Sequence, residues 1–234
     1  MPLQNRVDAF GELIAVEARG TVLGNRGGRF HRDDRTLGNR RHVSRAWICC
    51  RLEFNGRHRN VWGKYYTELF FLDEVTAFSA GHRPCFECRR KDAEAFAALW
   101  PGPRNPGRRP RAAEMDLVLH SERLHGPLKR KHPMTIDDLP DGAMIDLDGF
   151  AWGICGKSLL RWTPQGYRER RPRPAGIEVS VLTPPSIVAV LAAGYPPQWH
   201  SSSEAGDGFS AQSERSAPDI QSSGNNRRER GPLI

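Results

Sequence analysis

Hydrophobic and polar positions alternate along this chain in short blocks, each closed by a turn signal. Phe10-Gly11-Glu12-Leu13-Ile14-Ala15-Val16 is a brief apolar segment that predicts a strand. Residues 24–45 are rich in Gly and Arg and predict a loop. Trp47-Ile48-Cys49-Cys50-Arg51-Leu52-Glu53-Phe54 predicts a strand, Asn55-Gly56 a type I′ turn, and Arg57 to Trp62 the returning strand of a hairpin. Leu69-Phe70-Phe71-Leu72 predicts another strand. Asp73 is a fitting N-cap for a helix Glu74–Ala80, and Gly81 a fitting stop. A helix follows over Lys91–Trp100, with Ala93, Phe96, Ala97 and Trp100 on one stripe. Residues 101–110 form a basic Pro/Gly linker, and Glu114–Leu124 a second helix. Four strands are expected over residues 139–183, two of them joined by a turn at Asp148-Gly149, and then a helix Ser186–Ala193. The segments Ala77–Pro84 and Val190–Pro197 share a helix–Gly–aromatic–x–Pro pattern, read as one way of stopping a helix used twice.

Between these blocks stands Cys85-Phe86-Glu87-Cys88, delivered by the turn Gly81-His82-Arg83-Pro84. A Cys-x-x-Cys knuckle after a short helix supplies two of the four ligands that zinc favours. Cys49 and Cys50 are strand neighbours and face opposite ways. In the expected hairpin, Cys50 shares its face with Ile48, Leu52 and Phe54 and points to the core, where a packed knuckle would meet it. Cys49 or His82 would then complete the set. His58 falls on the Cys49 face near the turn, and Cys155 is distant in sequence. A fourth position left to water would make the centre chemically active. A redox Cys-x-x-Cys beside Arg83, Arg89 and Arg90, and plain reduced core thiols, are the competing readings.

Charge adds a second theme. The 234 residues include 35 Lys and Arg against 27 Asp and Glu, a net charge of +8, and only five of the cations are lysines. Arg-dominated basicity suits phosphate-rich partners, because the planar guanidinium can bind phosphate bidentately. Arg26, Arg29, Arg40, Arg41 and Arg51 are the expected nucleic-acid contacts. Arg123, Lys129, Arg130 and Lys131 form a further basic patch. Asp116, His120 and Glu122 lie together on the 114–124 helix and are the weak candidates, with Cys50, for a catalytic role. They would suit a metal-dependent nuclease, against the plainer reading of a solvated helix face. Five cysteines, two of them adjacent, do not make a disulfide framework, and a reducing cytoplasm is expected. No apolar run is long enough for a membrane span, and no signal peptide is expected. From Ser201 on, large apolar residues become scarce, so residues 201–234 are expected to be disordered.

Residues 47–90 carry a resemblance. Phe70-Phe71-Leu72-Asp73, then Ala77-Phe78-Ser79-Ala80-Gly81-His82-Arg83-Pro84-Cys85-Phe86-Glu87-Cys88-Arg89, resembles the N-terminal zinc-binding domain of Ada-type DNA alkylation-repair proteins. The resemblance implies a zinc site, DNA ahead of RNA as partner, and Cys50-Arg51 at the start of that family's upstream Cys-Arg-Pro-x-Cys motif. In that family the first of these cysteines takes a methyl group from a DNA phosphotriester. Here Leu52 stands in place of the proline and Phe54 in place of the second cysteine.

The expectation is therefore an α+β protein. Residues 1–100 would be an Ada-like zinc-binding hairpin-plus-helix region, and residues 101–200 a basic linker, a helix and a small β-rich region. Function is expected in zinc-dependent nucleic-acid binding within DNA repair or processing. A nuclease, or a structural zinc scaffold binding a protein partner, are the alternatives.

Overall fold

The protein is α+β: two six-stranded sheets with short helices between and beside them. The computed structural model describes residues 1–57, 60–102 and 108–204. The first sheet contains β1 (Arg6–Val7), β2 (Leu13–Ile14), β3 (Val22–Arg26), β4 (Trp47–Cys50), β5 (Leu69–Phe71) and β6 (Arg83–Pro84), in the order β2-β1-β5-β3-β4-β6. Helix α1 (Glu74–Ser79) lies between β5 and β6 in the chain. Helices α2 (Arg90–Ala98) and α3 (Ala112–Arg123) follow, then the small hairpin of β7 (Leu124–His125) and β8 (Leu128–Lys129). The second sheet contains β9 (His132–Thr135), β10 (Met144–Leu147), β11 (Phe150–Cys155), β12 (Ser158–Thr163), β13 (Gly166–Pro172) and β14 (Glu178–Val181), in the order β13-β12-β11-β10-β14-β9. Helix α4 (Pro185–Ala192) returns to the first sheet, where Ile187, Val190 and Leu191 join Phe71, Phe78 and Phe96 in the main core. Among the described residues, no helix is long and apolar enough to cross a membrane.

Three expectations need correction. Among the described residues, the hairpin expected over residues 47–62 does not form. Asn55 and Gly56 do adopt the left-handed turn, with φ of 52° and 63°, and the Arg57 amide donates to the Phe54 carbonyl. The strand nevertheless stops at Cys50 and pairs with β3 and β6. Second, strand Val22–Arg26 takes in residues 24–26 of the segment expected to be loop. Gly24 is needed there, because a Cβ would stand 2.6 Å from the Ile48 carbonyl oxygen and 2.7 Å from the Phe71 ring. Third, β9 and β13 were not expected as strands. Both are sheet edges, and Pro133 and the run Arg168-Glu169-Arg170-Arg171 are what edges carry in place of an alternating pattern. At the C-terminal side, Ser201–Ser203 form a 3₁₀ turn with Ser203 buried, so order continues past residue 200. Residues 205–234, on which most of the expected tail falls, lie outside the described residues.

Helix α1 joins the two sheets, and all six of its residues are buried. Val75 packs with Met144, Ala151 and Leu182 of the second sheet region, while Ala77 and Phe78 pack in the core of the first. Its polar start is fully used. The Asp73 carboxylate accepts from the Thr76 amide and hydroxyl, from Tyr167 Oη of β13 at 2.9 Å, and from the His200 amide at 3.0 Å. Glu74 accepts from Tyr195 Oη and the Gln198 amide and pairs with Arg89 at 2.7 Å. The repeated helix-stop pattern is also physical. The His82 amide donates to the Ala77 carbonyl and the Tyr195 amide to the Val190 carbonyl, with Gly81 and Gly194 at φ of 79° and 97°.

Removing the Tyr167 hydroxyl isolates one of these links. Tyr167→Phe should destabilise the protein by about 1.5–3 kcal/mol, as expected for a buried hydrogen bond to a charged group. Asp73→Ala, which orphans four donors, should cost more. Urea unfolding of the two variants beside the wild type checks both the size and the order.

Candidate metal centre

The two faces of β4 decide what each cysteine meets. Leu23 lies opposite Cys50 on β3, and Gly24 opposite Cys49. On the other side β6 runs parallel to β4, with Ile48 beside Arg83 and Cys49 beside Pro84. The Cys85 amide then donates to the Cys49 carbonyl at 3.0 Å. That bond brings the Cys85–Cys88 turn alongside the end of β4, and the Arg89 amide closes the turn on the Cys85 carbonyl. The sulfurs of Cys50, Cys85 and Cys88 all lie within 4.8 Å of one another and are buried. Leu23 and the half-buried Ile48, Phe54 and Phe70 pack around them.

The donor set fits a soft divalent metal. Three thiolates around one zinc at about 2.3 Å would sit roughly 3.8 Å apart in a tetrahedral arrangement, inside the observed spacing. Hydrogen bonds from Cys50 and Cys88 pull the Cys85 thiol well down, and the same contact with Cys85 pushes Cys50 up. The shift favours the thiolate at Cys85, the form in which a cysteine binds a metal cation.

The other expected ligands lie elsewhere. Cys49 and Trp47 face the main core, and Cys50 faces away from it, the reverse of the expected sides. The reversal follows from the missing hairpin, since Leu52 and Phe54 no longer define a strand face. Burial pushes the Cys49 thiol up, and Arg89 Nη1 donates to its sulfur at 3.4 Å. His82 is fully buried on that core side, its ring 4.6 Å from Phe71 and 5.1 Å from Trp47. Burial, then Arg26, holds it well below the ordinary histidine range. Cys155 belongs to β11 in the second sheet. His58 lies outside the described residues. Among the described residues, no fourth Cys, His, Asp or Glu joins the three sulfurs.

The cations expected to activate the knuckle are occupied. Arg83 makes a bidentate pair with Asp116, 2.8 Å on each arm, and Arg89 pairs with Glu74 and Asp92. Asp116, His120 and Glu122 do not converge either. Glu122 accepts from the Ser186 amide and hydroxyl, and His120 contacts Arg123 at 3.2 Å and the His42 ring. Of the expected nucleic-acid contacts, Arg26 is internal at 2 % exposure. Arg29 is half-buried and pairs with Asp33, while Arg40, Arg41 and Arg51 are exposed.

Cys50, Cys85 and Cys88 open onto a cavity of about 730 Å³. Asn25, Arg57, Lys64, Tyr65, Tyr66 and Glu87 line it further out. Tyr65 and Tyr66 are 73 % and 49 % exposed. The segment carrying them is pinned just before and after. Trp62 stacks on His31 at 5.1 Å, and its amide and indole N–H both donate to Glu68. Arg57 pairs with Glu87 across the rim. This rim escaped the sequence reading, although two adjacent tyrosines after Gly63-Lys64 and outside any alternating pattern were a visible signal.

A scan against protein-family models and searches of curated proteins and of solved structures found no match to this chain.

Protein purified without added metal should carry about one zinc per chain, the occupancy of a single thiolate site. Cys85→Ser and Cys50→Ser should lose it, while Cys49→Ser and Cys155→Ser should keep it. Metal analysis on the four variants, with thiol titration in denaturant, reads the result. Loss of metal in Cys49→Ser would shift the centre to the core face of β4.

Proposed function

We propose that this is a zinc-binding protein that binds nucleic acid at the cysteine cavity, acting in DNA repair or processing. The observation that carries the reading is the joining of two features at one place. Three convergent sulfurs form part of a cavity wall, and exposed Tyr65 and Tyr66 with Lys64 and Arg57 form its rim. Zinc, when bound, holds the cysteines as thiolates and keeps them nucleophilic at neutral pH. Two exposed aromatic side chains next to cations are the usual furniture of a single-strand or flipped-base site, since every base offers a π-face to stack. Arg40, Arg41 and Arg51 add exposed positive charge for the backbone.

Phe54 bears on the Ada-type resemblance. It stands where that family has its second upstream cysteine, and it packs against the same cluster as Cys50, Cys85 and Cys88. In this reading an apolar side chain stands in place of the fourth thiolate, and Cys50, Cys85 and Cys88 would hold the metal at the cavity wall. Cys50 is then the residue for methyl transfer if the alkylation-repair chemistry operates.

Fluorescence anisotropy with labelled single-stranded and duplex DNA tests the reading. Affinity should fall steeply as salt rises. Tyr65→Ala and Tyr66→Ala should each weaken single-strand binding by about 1–3 kcal/mol, the range for one lost base stack. Cys85→Ser should lose metal and DNA binding together. Salt-insensitive or absent binding, with zinc still present, would leave a structural zinc protein.

A further inference from the structure

The face of β4 opposite the thiols holds a second cavity, of about 610 Å³, lined by an unusual set of charges. Arg26, Arg123 and Lys129 form its inner part, and Arg40, Arg41 and His42 its rim. Glu12 is the one carboxylate among the described lining residues. Arg123 is fully buried, Arg26 is 2 % exposed, and Lys129 is half-buried.

These cations are hydrogen-bonded but, among the described residues, not ion-paired. Arg26 donates to the Gly11 carbonyl at 2.8 Å and to His82 Nε2 at 3.4 Å. Arg123 donates to the carbonyls of Gly81 and Arg45, at 2.9 and 2.8 Å, and its Nε has no partner. Lys129 donates to the Ser79 carbonyl. Both guanidinium groups also lie against the Trp47 ring, 4.0 and 3.9 Å from its centre. Among the described residues, none of the three is within ion-pair distance of a carboxylate. The contrast inside the same fold is plain, because the other buried arginines, Arg83 and Arg89, do have carboxylate partners. Burial, with Arg26 and Arg123 adding to it and Asp8 opposing, brings Lys129 down to about 7; burial brings Arg26 to about 9 against the pull of Glu12 and Asp8, and burial with Arg26 brings Arg123 to about 9 against Asp116. An uncompensated buried charge is costly. Three together at a cavity wall form an electrostatic hole of the size and sign of a phosphate group.

We propose that this second cavity binds a phosphomonoester, with Lys129, Arg41 and His42 touching the phosphate and Arg26 and Arg123 supplying attraction from the floor. Depth selects the ligand. A duplex backbone cannot reach groups this buried, whereas the terminal phosphate of a nucleotide or of a nucleic-acid strand can enter 610 Å³. The site shares no ligand with the cysteine centre, and its proposal stands apart from the metal reading.

The test uses full-length protein and four probes at constant ionic strength: inorganic phosphate, a nucleoside 5′-monophosphate, and one single-stranded oligonucleotide with either a 5′-phosphate or a 5′-hydroxyl. Titration calorimetry should show the 5′-phosphorylated strand or the mononucleotide binding roughly tenfold or more tightly than the 5′-hydroxyl strand. Lys129→Met and Arg41→Ala should erase that preference. Equal affinity of mononucleotide and phosphorylated strand identifies a free nucleotide as the source. Much tighter binding of the strand identifies a strand end. No heat from phosphate or mononucleotide, together with equal binding of the two strands, overturns the proposal. So does a preference for phosphate that survives in both Lys129→Met and Arg41→Ala. Circular dichroism of each variant confirms that the fold is intact.

Discussion

The parallel pairing of β6 with β4 is the constraint on which both sites depend. Two residues, Arg83 and Pro84, form β6, yet they set the register of everything after them. The amide of Cys85 reaches the Cys49 carbonyl only in this register, and the knuckle sulfurs then meet Cys50 instead of Cys49. Arg83 is locked by its bidentate contact with Asp116 of α3, and Arg89, just past the knuckle, by Glu74 of α1. A short pairing is thus held at both ends by buried ion pairs. Such pairs add little net stability over apolar packing, but they fix one arrangement, because a slipped register would bury their charges alone.

Helix α1 is the second fixed point. It is short and wholly buried, polar at its start and again at Ser79, whose hydroxyl donates to the Ala9 carbonyl. Asp73 and Glu74 convert that start into a junction for β13, for the 195–200 segment and for the N-cap residue of α2. Burial raises both carboxyl groups from their ordinary range, opposed by the donors around them. The two sheets are therefore joined through polar contacts that need every partner present, as well as through the apolar surface of Val75 and Phe78.

Local features were legible in the sequence, and pairings between distant segments were not. The Asp73 cap, the Gly81 stop, the Asn55-Gly56 turn and the strands flanking Asp148-Gly149 all express chemistry within a few residues. The hairpin failed because a correct turn does not guarantee a returning strand. Arg57, Asn60 and residues 63–66 instead line the cavity at the thiols, fastened by Trp62 to His31 and Glu68. Strand β3 was hidden by Gly24, whose lack of a side chain is a packing requirement of the Phe71 ring. The convergence of Cys50 with the knuckle was within reach of sequence reasoning. The faces of β4 were not, because they follow from partners 21 to 35 positions away along the chain.

Arginine shows most clearly why composition alone misleads here. Arg26 and Arg123 look like surface charge in a basic chain, and both are interior. Arg123 is admitted because Gly81 leaves room for its stem, a Cβ there falling 2.7 Å from Cδ. Its head is then placed among carbonyls and against Trp47, which soften the burial of charge without cancelling it. A fold that supplies carboxylates to Arg83 and Arg89 has the means to neutralise buried guanidinium groups. That it leaves Arg26, Arg123 and Lys129 without them, at one cavity and on one face of β4, makes the missing counter-charge a property of the site and not of the composition.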